Sequence, residues 1–228
     1  MAFLAGSFVR GEGTAGSDLD LVVVFERLPA AYRESFRFGR WPVESFVHDP
    51  ATLEYFFTEA DAARGVPSLA TMVSEGIEVP AATALSRSLK DLAAANLAAG
   101  PPAWSRDELD RSRYTITMLA DDLLDPRSPA ESTATGVALY DAVATHFFRS
   151  RGLWSAGSKA IPKTLAKADP AFADAFVGSF DALFATQQTE AVLALAEHVL
   201  APDGGRLFEG YTGTAPKEWR APSQRRTK

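Results

Sequence analysis

Two aspartates separated by one apolar residue, Asp18 and Asp20, stand at the entry to a run rich in β-branched residues, and a glycine–serine pair, Gly6-Ser7, lies upstream. On a strand, side chains at i and i+2 point to the same face, so the two carboxylates converge. Carboxylates so placed repel one another unless a cation lies between them or water reaches both. The natural partner is a hard divalent ion such as Mg²⁺, which takes one or two carboxylates, several waters and phosphate oxygens. The upstream segment supplies the complementary half. Gly6, Gly11, Gly13 and Gly16 fall within eleven residues. A glycine after a short strand lets backbone amides approach a ligand closely, and those amides with the Ser7 hydroxyl can hold triphosphate oxygens. No Gly-Lys-Ser/Thr follows the glycines, which disfavours the P-loop class. What remains is phosphoryl or nucleotidyl transfer, in which positioning and charge neutralisation provide most of the catalysis.

Short elements must position these groups. Residues 2–5 and Leu19 to Phe25 read as buried strands, and Pro42 to Val47 as a third. Pro29 to Phe38 fits a helix. Asp49-Pro50 supplies an N-cap and first helical residue for a helix closing near Gly65, and a shorter helix follows from Pro67 to Glu75. From Pro80 onward the pattern is almost wholly helical. Gly100-Pro101-Pro102 ends one helix, and Ser105-Arg-Asp-Glu108 and Ser128-Pro-Ala-Glu131 are capping-box sequences. Further helices are predicted over 158–168, 170–185 and 188–200. The expected class is α+β, with a small mixed sheet domain over 1–79, a helical bundle over 80–215 and a basic tail over 216–228.

Composition narrows the function classes. The 228 residues include no cysteine and three histidines, so a disulfide framework, a thiolate zinc site and a cysteine nucleophile are excluded. No apolar run approaches the roughly 20 residues that span a bilayer, and the N-terminus lacks a signal-peptide pattern, so a cytoplasmic location is expected. Residues 216–228 carry five basic side chains against one acidic, leaving 18 basic and 28 acidic in the rest. An acidic body disfavours a general duplex-binding surface, although the tail keeps RNA open as a partner.

Gly6-Ser7, the glycine-rich loop and Ser17-Asp18-Leu19-Asp20 resemble the signature of the DNA polymerase β-like nucleotidyltransferase superfamily, especially its bacterial aminoglycoside and minimal nucleotidyltransferase branch. The resemblance implies that Asp18 and Asp20, with a third carboxylate on the next strand, bind two Mg²⁺ ions. Glu44, within Trp41-Pro-Val-Glu44-Ser-Phe-Val-His48, is the choice for that third ligand. It further implies a nucleoside triphosphate co-substrate, ATP in the first instance, held by Gly6 and Ser7, with Ser17 orienting the aspartates. A helical-domain carboxylate acts as base in such enzymes, which singles out Asp121 or its neighbour Asp122. Lys159, preferred over Lys163, is the candidate for a lysine near the triphosphate.

The leading expectation is therefore a Mg²⁺-dependent nucleotidyltransferase acting on a hydroxyl acceptor, with a small aminoglycoside-like molecule favoured. A toxin-like or regulatory enzyme modifying tRNA or protein is the enzymatic alternative, and a nucleotide-binding protein without turnover the non-enzymatic one.

Overall fold

The computed structural model describes residues 1–216 and Trp219. Apart from Pro216 and Trp219, the basic tail expected over 216–228 lies outside the described residues. The described residues divide into two compact units, residues 1–103 with 151–164, and residues 104–150 with those from 165 onward. The first unit is wider than the 1–79 segment marked by composition, because it takes in the following helix and a returning segment.

The α+β class is as expected. The first unit is built on a five-stranded mixed sheet of order β3-β4-β2-β1-β5. Its strands are β1 (Ala2–Ala5), β2 (Leu19–Val24), β3 (Tyr32–Phe38), β4 (Trp41–His48) and β5 (Ile77–Val79). β2 and β4 run parallel, and the remaining neighbours are antiparallel. Register pairs Asp20 with Glu44, Val22 with Phe46 and Val24 with His48, so these six residues share one face. Farther along that face, Val22 and Val24 join Phe3 in a core closed by Leu53, Phe57, Leu69, Val73 and Leu89. One sheet face is thus hydrophobic core at one end and acidic at the other.

Pro29 to Phe38 is a correction: the expected helix is a loop followed by β3. Ala30, Arg33 and Glu34 are acceptable helix formers, but intrinsic preference loses to pairing with β4. The two-residue loop Gly39–Arg40 joins Phe38 to Trp41, and Gly39 has φ +58°, a conformation a hairpin needs and glycine adopts freely. All seven residues of β3 are exposed, so this edge strand lacks the apolar-in, polar-out contrast that marks a half-buried strand.

The helix expected after Asp49 forms as α1 (Pro50–Tyr55), a π turn (Phe56–Ala60) and α2 (Asp61–Arg64). Asp49 accepts from the Thr52 amide at 2.8 Å, while the Thr52 hydroxyl caps the Asp49 amide in return. Asp49 also accepts from the Leu28 amide at 3.0 Å, tying the loop after β2 to the helix start. These amide bonds, chiefly that from Thr52, hold the Asp49 carboxyl below its usual range. At the π turn the Asn96 side-chain amide donates to the Phe57 carbonyl at 3.0 Å, which satisfies a backbone group at the widened turn. Next come α3 (Ser68–Glu75) and α4 (Ala84–Ala99). α4 starts later than Pro80 because Ile77–Val79 is spent on β5, a strand too short to stand out in the sequence, and Thr83 and Ser86 form the actual capping box.

In the second unit, α5 (Arg106–Asp122) opens on the Ser105–Glu108 capping box, with Glu108 bonding the Ser105 amide at 2.7 Å. α6 (Pro129–Ser150) follows. Ser128 accepts from the Glu131 amide at 3.2 Å, whereas the Glu131 carboxylate reaches back to the Arg127 amide rather than to that of Ser128. Of the later helices, α7 (Ile161–Ala168) begins in the first unit and continues into the second, which also holds α8 (Pro170–Thr186) and α9 (Glu190–Leu200). Among the described residues no helix is long and apolar enough to cross a membrane.

Candidate active site

The acidic end of the sheet is assembled by register. Ala5, the last residue of β1, faces Asp20, and Asp20 faces Glu44, so the turn leaving β1 lies beside the carboxylates. Gly6 begins that turn with φ +79°, and a β-carbon there would come 2.0 Å from Asp20 Oδ2. Only a residue without a side chain lets the backbone pass the carboxylate this closely. Asp18, Asp20 and Glu44, all half-buried, each offer an oxygen, and these oxygens lie within 4.8 Å of one another.

Burial pushes the Asp20 carboxyl up from its usual range, and the charges of Asp18 and Glu44 push it further, while Lys159 and Arg10 pull it down. The three acids are therefore coupled through space, and an oxygen-only donor set of this kind fits a hard divalent cation. The Asp-x-Asp spacing accounts for Asp18 and Asp20, and the parallel register of β2 with β4 brings Glu44 to them.

The glycine-rich loop is folded by its own hydrogen bonds. The Glu12 amide donates to the Ser7 carbonyl at 2.9 Å, and the Gly11 amide to that of Phe8 at 3.1 Å. Ser17 closes a turn: its hydroxyl accepts from the Thr14 amide at 2.9 Å and lies 3.2 Å from the Thr14 hydroxyl. Arg10 reaches Glu12 at 3.1 Å and Glu75 at 3.4 Å, pinning the loop to α3.

The segment bearing Lys159 is held in the first unit by two bonds. The Trp154 indole donates to the Leu97 carbonyl at 3.1 Å, and the Ser155 amide to the Gly65 carbonyl at 2.7 Å. Lys159 then sits in a short 3₁₀ turn (Ser158–Ala160), close enough to Asp20 to lower its proton affinity. Lys163 forms an ion pair with Glu12 of the loop. Of the two lysines, Lys159 is the one whose charge reaches Asp20, while Lys163 pairs with Glu12. Asp121 lies in the second unit on α5, where Arg206 bonds it and also reaches Glu197 at 3.3 Å.

A cavity of about 500 Å³ opens beside Asp20 and Glu44, with Arg33, Phe46, His48 and Phe56 among its walls. Two of these escaped sequence reasoning. Arg33 binds Glu44 through its guanidinium, a contact that only the unforeseen β3–β4 hairpin creates. His48 is buried, with its ring edge-on to Phe56 at 4.9 Å and Nδ1 3.2 Å from the Thr52 hydroxyl. Burial lowers its pKa, against the opposing pull of Asp49 and Asp61. The folded chain therefore binds this proton less readily than the unfolded chain. The stability gained from a neutral His48 is complete above about pH 6.5 and is lost as pH falls toward the folded-state value. Comparing melting temperatures at pH 7 and 5 should give a smaller acid-induced drop for His48→Asn than for the wild type.

The second unit contains a separate cavity of about 440 Å³ lined by Trp104, Glu108, Arg111, Ser112, Asp141 and Thr145. Behind it His146 Nδ1 lies 3.0 Å from the Ser112 hydroxyl, and Nε2 lies 3.0 Å from Asp203. Ser112 is mid-helix, where backbone amides are committed to the helix and none is left to receive an oxyanion. The chain of bonds links α5, α6 and the turn after α9 as a buried polar tie.

No curated protein matches this chain in sequence. A solved nucleotidyltransferase-like protein from Exiguobacterium sibiricum is similar over 82% of this chain at 13% identity, with a TM-score of 0.43. This chain spans 62% of that protein's length. Residues 1–58, which carry β1 through α1 and with them Gly6, Asp18, Asp20 and Glu44, match the family model described as nucleotidyltransferase domain.

Proposed function

We propose that this chain is a Mg²⁺-dependent nucleotidyltransferase that moves a nucleoside monophosphate from a triphosphate, ATP in the first instance, to the hydroxyl of a small acceptor in the cytoplasm. The observation that carries the reading is the convergence of Asp18, Asp20 and Glu44 within 4.8 Å beside the Gly6 turn.

In this mechanism the acceptor hydroxyl gives its proton to water, its oxygen forms a bond to the α-phosphorus, the bond from the α-phosphorus to the α–β bridging oxygen breaks, and pyrophosphate leaves. The three carboxylates would hold two Mg²⁺ ions, which supply Lewis-acid activation of the attacking oxygen and charge neutralisation for the departing one. The backbone at Gly6 and Ser7 lines the phosphates, its close approach permitted by the absent β-carbon. Lys159, whose charge already reaches Asp20, places a cation beside the triphosphate. The Arg206 ion pair occupies Asp121, so the proposed mechanism does not route the acceptor proton through it.

The test is incubation of the full chain with each α-labelled triphosphate, Mg²⁺ and a panel of small hydroxyl acceptors, tRNA and proteins. Label transfer to a small acceptor with release of pyrophosphate is expected. Label on tRNA or protein would reassign the acceptor, and nucleotide binding without turnover would favour the binding-protein alternative.

A further inference from the structure

Arg33 stands on the edge strand, and its guanidinium bonds Glu44 while lying 4.8 Å from the centre of the Phe46 ring. It lines the same cavity as Asp20 and Glu44. Other cations near the site act differently: Arg10 pairs with Glu12 and with Glu75 of α3, Lys163 pairs with Glu12, and among the ion pairs of the described residues Arg33–Glu44 is the one that involves a member of the carboxylate cluster. We infer that Arg33 is a positioning residue that pairs with Glu44 in the absence of a divalent ion and is weakened there by the charge of an entering ion, becoming available to the triphosphate. The inference rests on the nucleotidyltransferase reading above.

Three half-buried carboxylates within 4.8 Å repel one another, and a guanidinium on Glu44 offsets part of that repulsion in the empty cluster. An ion bound by Glu44 needs the carboxylate oxygen at about 2.0–2.1 Å and brings two positive charges against the guanidinium. The guanidinium bonds one Glu44 oxygen and leaves the other to an ion, so the two oppose each other through charge rather than through a shared atom. Arg33 has somewhere to go, since its side chain is 56% exposed and hinged on an edge strand with one neighbour. Its planar fork matches phosphate oxygens, so the polyanion that arrives with the ions is a better partner than a carboxylate already neutralised by them. The exchange would favour ion and nucleotide together over ion alone.

Binding of Mn²⁺ alone, read from the electron paramagnetic resonance of the free ion, tests this in the full chain without turnover. Arg33→Gln should tighten Mn²⁺ about fivefold, and Arg33→Lys should fall between it and the wild type. Arg40→Gln, which removes an exposed cation over Trp41, should stay within about twofold of the wild type. Adding ATP should reverse the order, with Arg33→Gln binding nucleotide more weakly than the wild type. Equal or weaker Mn²⁺ binding by Arg33→Gln, or an equal gain in Arg40→Gln, would overturn the role of Arg33 while leaving the enzyme reading standing. Absence of Mn²⁺ binding by the wild type, with or without ATP, would overturn both.

Discussion

Asp20→Asn is expected to lower nucleotidyl transfer by at least about 10³-fold while leaving the fold intact. Losing a hydrogen-bond partner of a metal ligand costs roughly 10–100-fold, so losing the ligand's own charge sets a larger floor. The substitution keeps the volume and removes the charge that burial and two neighbouring carboxylates already oppose. The same change should therefore leave stability unchanged or raise it, because the native chain no longer holds three acids together in the absence of an ion. Transfer assays with saturating Mg²⁺ and a melting temperature at pH 7 check both halves. Near-normal turnover would remove Asp20 from the site. A large loss of stability would show that the cluster is structural.

The acidic end of the sheet was legible because it depends on local geometry. The two-residue strand period places Asp18 and Asp20 together, and a glycine at the end of an apolar tetrapeptide marks the turn beside them. Glu44 needed the resemblance as well as its strand, and parallel register with Asp20 is what brings it to the cluster. The capped helices were equally readable, since Asp49-Pro50 and Ser105 to Glu108 state their starts within four residues.

What stayed hidden is non-local. Nothing within Tyr32 to Phe38 announces a strand on its own; the segment acquires that state by pairing with β4, and Arg33 acquires its partner with it. β5 is three residues long and is defined by β1, so the helix predicted from Pro80 was placed too early. Residues 151–164 return to the first unit through bonds to Leu97 and Gly65, contacts far apart in the chain. The contact that Ser17 makes is a local one. Its hydroxyl had a partner three residues away, Thr14, and loop hydroxyls commonly close their own turn before they serve a neighbour.

Gly6→Ala should disable the site by a route that removes no charge and no ligand. The new methyl carbon would come 2.0 Å from Asp20 Oδ2 and 2.9 Å from its carboxyl carbon, so either the carboxylate or the turn must move. The backbone there also has φ +79°, which costs an L-residue roughly 1–2 kcal/mol before any clash is counted. Forcing a methyl into packed surroundings adds about 1–3 kcal/mol. Together these give a destabilisation of about 2–5 kcal/mol, or a fall of several degrees in melting temperature for a chain of this size. Activity should fall further than stability explains, by about 100-fold even where the variant is fully folded, because a displacement near 1 Å at a reacting centre has that effect. Gly16→Ala is the control. It lies in the same loop with open space around its α-carbon and no left-handed backbone, so it should retain activity and melting temperature. If both alanine variants behaved alike, the close approach of Gly6 to Asp20 would not be what organises the site. If Gly6→Ala alone lost metal binding together with transfer, the turn and the acidic pair would be established as one unit, with the glycine present because the carboxylate needs the space.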